Sequence, residues 1–409
     1  MDGPKNKTCK ISCTDNLVVA LQDLEQGETV ECEGEIFRIR ERVGAKHKFA
    51  ATDLKIGDSV YMYGVLVGET TRAITKGELV NTRNLAHRSA EYSSSHSPIQ
   101  WNGPCVNSWQ GQTFMGFDRG DGSFGTANYW LVIPMVFCEN GNVEIMRNSM
   151  VQALGLAKRS QYERFAEELA ESYAQDENPE AVTLAEQPMD SHSPVFPNLD
   201  GVKFLTHGLG CGETRGISNE LCGLLAGYAC NPNVAGITVL SLGCQHAQVS
   251  ILEREISQRS PNFKKPLLVF EQQKYASERE MMEQAIRQTF AGLAQTNRLR
   301  RAATPLSKLS LGMECGASDG FSGISANPAI GRVADLTVAL GGKVILSEFP
   351  ELCGVEQEIV NRCMNRETGD RFIEIMRNYE ERVKEAGSGF HMNPSPGNVK
   401  DGLVTDAIK

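Results

Sequence analysis

Trp130-Leu131-Val132-Ile133-Pro134-Met135-Val136-Phe137 is a run of eight apolar residues, and polar chain succeeds it at once in Cys138-Glu139-Asn140-Gly141. It is too short for a helix of ordinary length and reads as a strand buried on both faces. Five more short apolar runs lie downstream, at Val202–Leu205, Ile237–Leu242, Leu267–Phe270, Leu309–Met313 and Val344–Leu346. Longer amphipathic segments lie between some of them. In 277–295, Met281, Met282, Ala285, Ile286, Phe290 and Leu293 form one apolar stripe. In 367–386, Phe372, Ile375, Met376, Tyr379 and Val383 do the same. Strands alternating with helices predict an α/β main domain built on a mostly parallel sheet, here placed at 113–409.

Working outward, residues 91–112 are Ser-, Pro- and polar-rich without a period and read as a linker. Residues 1–90 are different again. Alternating stretches such as Glu35-Ile36-Phe37-Arg38-Ile39-Arg40 and Val60-Tyr61-Met62-Tyr63 read as half-buried strands. Gly44, Gly57, Gly64, Gly68 and Gly77 punctuate them as turns. A small all-β domain is expected there. No internal repeat is evident.

The chain has 409 residues, enough for two or three domains. Lys and Arg number 41 against 51 Asp and Glu, a net charge of −10, which argues against a nucleic-acid partner. No apolar run reaches the roughly 20 residues a membrane helix needs, and the first residues lack a signal-peptide core, so a cytoplasmic protein without a membrane partner is expected. There the twelve cysteines are thiols rather than disulfides. Glycine is over-represented, 39 against about 29 at average usage.

Several of the apolar runs end in a polar stretch rich in glycine, cysteine or charge. Thr206-His207-Gly208-Leu209-Gly210-Cys211-Gly212-Glu213, Gly243-Cys244-Gln245-His246, Glu271-Gln272-Gln273-Lys274 and Glu314-Cys315-Gly316-Ala317-Ser318-Asp319-Gly320 each succeed one. Ligands of open α/β sheets bind at the carboxyl ends of strands, so one convergent polar site is expected. Cys211, Cys244 and Cys315 each sit beside glycine after a strand. They are either packed thiols or ligands of iron, as Fe²⁺ or a cluster. Cys222, Cys230, Cys353 and Cys363 read as packing, and Cys9, Cys13 and Cys32 as incidental. His207 and His246 are candidate bases, since imidazole titrates near neutrality, or structural histidines at strand ends. The 208–213 loop is glycine-rich but is not a dinucleotide fingerprint. Glu213 stands where the third glycine belongs and would repel a pyrophosphate. Asn393-Pro394-Ser395-Pro396-Gly397-Asn398 is a compact, stiff polar loop suited to clamping an anion or to turning the chain.

Taken together, these residues resemble the altronate/galactarate dehydratase family. The likeness rests on Gly125-Thr126-Ala127-Asn128-Tyr129-Trp130 through Cys138, on Gly210-Cys211 and Gly243-Cys244, on 314–328, and on 393–398. Asp15-Asn16, His47-Lys48, Tyr63-Gly64 and Gly77-Glu78 are similar to its SAF-type β-clip domain. The resemblance implies a hydro-lyase of carbohydrate catabolism that needs iron, with the altronate branch favoured by Phe137-Cys138-Glu139-Asn140. It implies His207, His246 and Lys274 in proton transfer. Asn128, Ser318, Asp319, Asn327, Asn393, Ser395 and Asn398 would hold the sugar acid, and Cys211, Cys244 and Cys315 the iron.

Two departures stand out. Asn81-Thr82-Arg83-Asn84 replaces a His-x-His-Asn run common in the family, and Ala127 replaces a basic residue. The chain also stops where members usually continue, which predicts that the family's C-terminal domain is absent. The alternatives are a dehydratase for another sugar acid such as galactarate, or a truncated, non-catalytic sugar-acid binder. A thiol redox protein would want a CxxC, which is missing. A homodimer is the default assembly.

Overall fold

The computed structural model describes residues 6–88, 90–93, 95–157, 160–184, 194–316, 319–392 and 394–405. The chain forms two compact units, one of Met1–Gln110 with Leu309–Lys409, the other of Gly111–Lys308.

In the first unit, residues 6–88 form the expected all-β domain. Thr8–Cys9, Leu17–Ala20, Lys48–Ala50 and Leu79–Val80 make one antiparallel sheet, flanked by the hairpin Thr29–Cys32/Glu35–Arg38 and by Ser59–Met62, Val65–Thr70 and Leu85–His87. Both hairpins turn on two residues of positive φ, Glu33-Gly34 and Tyr63-Gly64, a conformation whose twist matches that of the strands it joins. Phe37 and Phe49 meet edge to face in one of its two small cores.

The domain also holds a repeat that the sequence pattern conceals. Leu24-Glu25-Gln26-Gly27-Glu28, Leu54-Lys55-Ile56-Gly57-Asp58 and Ile74-Thr75-Lys76-Gly77-Glu78 adopt one turn, with φ of 82–83° at each glycine. In each, the last carboxylate accepts from the N–H three residues earlier: Glu28 from Glu25 at 2.9 Å, Asp58 from Lys55 at 2.7 Å, and Glu78 from Thr75 at 2.9 Å. The three copies are unequally spaced, so no fixed period betrays them.

In the second unit, four strands form a wholly parallel sheet: β1 (Tyr129–Pro134), β2 (Gly201–Phe204), β3 (Val234–Ser241) and β4 (Leu267–Glu271), in the order β2-β1-β3-β4. Helices α1 (Asn140–Ala153) and α4 (Glu278–Thr296) cover one face, α2 (Arg215–Cys230) and α3 (Val249–Arg259) the other. Every residue of β3 is buried, as a doubly covered central strand requires. Trp130 is its anchor. Its ring fills the space left by Gly236 and Gly292, and its Nε1 donates to Thr238 Oγ1 at 2.9 Å. A three-stranded antiparallel sheet, Phe124–Gly125, Thr113–Asp118 and Ala302–Pro305, lies in the same unit.

The α/β part is therefore mixed, and the last two apolar runs do not extend the large sheet. Ser310–Met313 (β5) and Lys343–Leu346 (β6) pair with each other in the first unit, in parallel, with helix α5 (Ala326–Ala339) between them in sequence. The reason lies in their residues. Ser310, Gly312 and Lys343 interrupt the apolar pattern, and both strands stay largely open to solvent, whereas a central parallel strand must bury both faces. The expected helices of 277–295 and 367–386 are present as α4 and as Arg366–Glu385 (α6). In α6 the buried residues are Gly369, Ile373 and Met376, while Ile375 faces out. The stretch read as a linker is held down in part: Ser97 N donates to Asn361 Oδ1 at 3.1 Å and Ile99 N to the Asn361 carbonyl at 3.0 Å.

Candidate active site

The order β2-β1-β3-β4 puts the switch point of the winding between β1 and β3, and the crevice beyond their carboxyl ends is where such sheets bind ligands. Three loops are stitched together there. Leu209, in the loop after β2, accepts from Phe137 N at 2.9 Å, just beyond β1. The Gly210 carbonyl accepts from His246 N at 2.9 Å and Ala247 N at 3.1 Å, beyond β3. This crossing needs glycine at 210. Its φ is +114°, and a Cβ there would lie 2.5 Å from the Met135 carbonyl oxygen. The stitching brings the exposed thiols Cys138, Cys211 and Cys244 and the exposed His246 to one end of the sheet. Lys274, beyond β4, joins that end with its ammonium 3.4 Å from Glu271 Oε2.

His207 stands at the same end but is engaged. Its Nδ1 accepts from Leu209 N at 3.2 Å, which leaves Nε2 to donate to the Pro134 carbonyl at 2.9 Å. Nε2 thus ties the end of β2 to β1 while Nδ1 fixes the loop after β2, and the His207 carbonyl accepts from Asn140 Nδ2 at 2.8 Å. This is the structural histidine at a strand end.

The glycine-rich loop shows why no phosphate belongs there. The Glu213 carboxylate accepts from Gly210 N at 2.8 Å, Cys211 N at 3.1 Å and Ser218 Oγ at 2.6 Å. Those bonds, led by the Ser218 hydroxyl, hold its pKa below the usual carboxylate value. The donors an anion would use are already satisfied from within.

Asn128 is a correction. It precedes β1, at the amino end of the sheet, fully buried. Its amide accepts from Arg119 Nη1 at 3.0 Å and donates to the Asn198 carbonyl at 2.8 Å. An amide so placed knits loops and does not face the crevice. Glu139, by contrast, is a residue that sequence reasoning misses. It is buried just past β1, its carboxyl bonded by Asn142 Nδ2 at 2.9 Å and pushed above the usual range by burial. Only its burial marks it, and a single Glu between Cys and Asn carries no such signal.

The remaining residues lie in the first unit. Cys315, half-buried, has its sulfur 3.5 Å from Asn327 Nδ2. Asp319 Oδ1 accepts from Phe321 N at 2.6 Å, pinning the 319–322 turn. Ser395 caps the short helix Pro396–Lys400, its hydroxyl accepting from Asn398 N at 3.4 Å. Ser318 and Asn393 lie outside the described residues. Asn81 and Arg83, in place of the expected histidines, belong to a self-contained turn in which Asn81 Oδ1 accepts from Arg83 N at 2.8 Å.

Among the described residues, no group of three or more His, Cys, Asp or Glu side chains is placed to hold a metal ion. Of the cysteines expected to carry iron, Cys211 and Cys244 lie in the second unit and Cys315 in the first, and no step is derived through iron. Among the described residues no helix is long and apolar enough to cross a membrane.

A parallel sheet with a polar, thiol-bearing cluster beyond its switch point, joined to a β-clip domain, defines the class: an α/β enzyme with an appended SAF-type module. Comparison with known proteins gives the family. Residues 6–88 match the altronate/galactarate dehydratase SAF domain, 116–297 the second domain of D-galactarate dehydratase/altronate hydrolase, and 306–409 the C-terminal D-galactarate/altronate dehydratase domain. The chain belongs to the altronate/galactarate dehydratase family and is a hydro-lyase. It is 28% identical to the altronate dehydratase of Bacillus subtilis and 26% to that of Escherichia coli. In these alignments 97% of the chain covers 70% and 71% of the relatives. It is 28% identical to the L-threo-forming galactarate dehydratase of E. coli, covering 69% of it. The match at 306–409 overturns the expectation that the family's C-terminal domain is absent.

Proposed function

We propose that this sugar-acid dehydratase converts D-altronate to 2-dehydro-3-deoxy-D-gluconate. The observation that carries the reading is the cluster at the carboxyl end of the parallel sheet, where the stitched loops present His246 and Lys274 outside the switch point. The proton next to a carboxylate is weakly acidic. Its removal requires a base, and a positive charge where the enediolate develops. His246, with an exposed ring, takes the proton from C2. Lys274 supplies the charge and, with Glu271 beside it, a proton for the departing C3 hydroxyl, which leaves as water. The enol then ketonises, taking a proton at C3 as its C2 hydroxyl gives one up, and the balance is loss of one water. His207 holds the two strand ends in place. Asp319, Asn327, Ser395 and Asn398 remain the residues proposed to bind hydroxyls and the carboxylate, with Ser318 and Asn393 beside them in sequence.

Iron belongs to the reading as a requirement to be measured, with Cys211, Cys244 and Cys315 as the proposed thiolates. A cytoplasmic homodimer completes it, C2 dimers being the commonest symmetric assembly. The test is an anaerobic assay with Fe²⁺ that follows the 2-keto-3-deoxy product from D-altronate and, in parallel, from galactarate. Faster turnover of altronate supports the reading. Faster turnover of galactarate overturns the choice of substrate, and a folded, iron-supplied protein that acts on neither overturns the function.

A further inference from the structure

Three consecutive residues of the β-clip domain grip three consecutive residues near the end of the chain, all within one compact unit. Lys46 Nζ pairs with Asp401 Oδ2 at 2.9 Å. The His47 ring lies beside the Lys400 backbone. Lys48 Nζ donates to the Gly402 carbonyl at 2.6 Å. Lys48 is completely buried, on a strand whose other residues, Phe49 and Ala50, are also buried. A methionine or leucine would fill that space without the penalty of desolvating an amine, so the amine points to a use for its hydrogen bond.

The approach of backbone to backbone is as tight as the side-chain grip. Gly402 has φ +96°, and a Cβ there would lie 2.8 Å from the Lys46 carbonyl oxygen and 3.2 Å from His47 N. Leu403 then enters the β-clip core beside Leu17 and Val80. A third segment joins at Asp401, whose backbone packs against Gly320. A Cβ on Gly320 would sit 2.7 Å from both the Asp401 carbonyl oxygen and Lys46 Cβ, and Lys46 Nζ lies 5.9 Å from the centre of the Phe321 ring. Asp319 is the residue before this turn. Asn398 is tied to the other end of the grip, its carbonyl accepting from Leu403 N at 3.0 Å.

The geometry points to a clasp in which Lys46, His47 and Lys48 hold the 398–403 segment and, through Asp401, the 319–322 turn, so that Asp319 and Asn398 are presented to the sugar acid together. These lysines are positioning residues that act through Gly402 and Asp401. The inference rests on the dehydratase reading for its purpose and on the contacts alone for its existence.

Amide exchange of the full chain tests it, with Lys48→Met, Asp401→Asn and Lys46→Arg compared with the wild type. The expected result is at least tenfold faster exchange in both 398–403 and 319–322 for Lys48→Met and Asp401→Asn, with β1–β4 unchanged and Lys46→Arg close to wild type. kcat/KM for the sugar acid falls about tenfold in the same two variants, mainly through KM. Asp401→Asn alters an exposed pair and keeps the test informative should Lys48→Met not fold. Unchanged exchange, or loosening of 398–403 without 319–322, overturns the clasp. Loosening of both segments with kcat/KM intact overturns the positioning role. A wild type that turns over no sugar acid counts against the dehydratase reading, and exchange alone then decides the clasp.

Discussion

Replacing Lys48 by methionine should make the stability of this protein depend differently on pH, and the size of the change comes from the site itself. Burial lowers the Lys48 pKa from an ordinary 10.5 to about 8, opposed weakly by Asp401. At about 1.4 kcal/mol per pH unit, that gap corresponds to about 3 kcal/mol. Proton counting gives the sign. Below pH 8 both folded and unfolded chains hold the proton, and the folded state bears the full burial penalty. Between pH 8 and 10.5 the unfolded chain binds more protons, so stability rises with pH. Above 10.5 both forms are neutral and the penalty is gone. Methionine removes the penalty but leaves the Gly402 carbonyl without its donor, at about 1–3 kcal/mol. At pH 7 the two effects nearly cancel, and Lys48→Met is as stable as the wild type or somewhat more so. At pH 10.5 only the loss remains, and the variant is the weaker by about 1–3 kcal/mol. Lys265 is likewise lowered to about 8 and Cys222 raised to about 11, but both proteins share them and they cancel in the difference. Urea unfolding of both proteins at pH 7, 8, 9 and 10 measures that difference. If it stays constant across the range, the buried amine carries no such penalty and the linkage is wrong.

Four further outcomes are expected. Gly292→Ala places a Cβ 2.2 Å from the Trp130 ring, in a core with nowhere to move it, and should lower stability by about 1–3 kcal/mol or more by thermal melt. His207→Ala removes the ring that ties Pro134 to Leu209 and should cost about 1–3 kcal/mol, while His207→Gln recovers part of it, read by the same melt. With a thiol reagent at pH 8, the exposed Cys138, Cys211 and Cys244 should react in the folded protein, and buried Cys222 only after unfolding, as peptide mapping would show. Glu213→Ala frees two loop N–H groups and should speed amide exchange at Gly210 and Cys211, with no change in β4.

The large sheet is legible in the chain because burial on both faces leaves a plain mark. Trp130–Phe137 carries nothing polar and Ile237–Leu242 only Thr238 and Ser241, and their sharp ends announce the crevice loops. Leu309–Met313 and Val344–Leu346 look alike as short apolar runs, yet they pair with each other and stay largely open to solvent. Residue type alone does not tell the two cases apart. The threefold turn of the β-clip domain is hidden because its identity lies in a positive φ and a returning carboxylate, not in a period. At the site, His246, Cys211, Cys244 and Lys274 lie in the loops at one end of the sheet. Position after a strand does not show that the His207 ring is already used, nor that Asn128 stands at the opposite end. Hydrogen-bond partners decide such matters, and they come from residues distant in sequence, as Asn198 does for Asn128.

Proton NMR of D-altronate incubated with the iron-supplied enzyme in D₂O, alongside His246→Ala and Lys274→Ala, puts the proposed proton transfers to the sharpest trial. The wild type should yield a 2-dehydro-3-deoxy product carrying one deuterium at C3, and either variant should lose at least a hundredfold in rate. A product without solvent deuterium at C3, or variants as active as the wild type, would mean that His246 and Lys274 do not perform this chemistry.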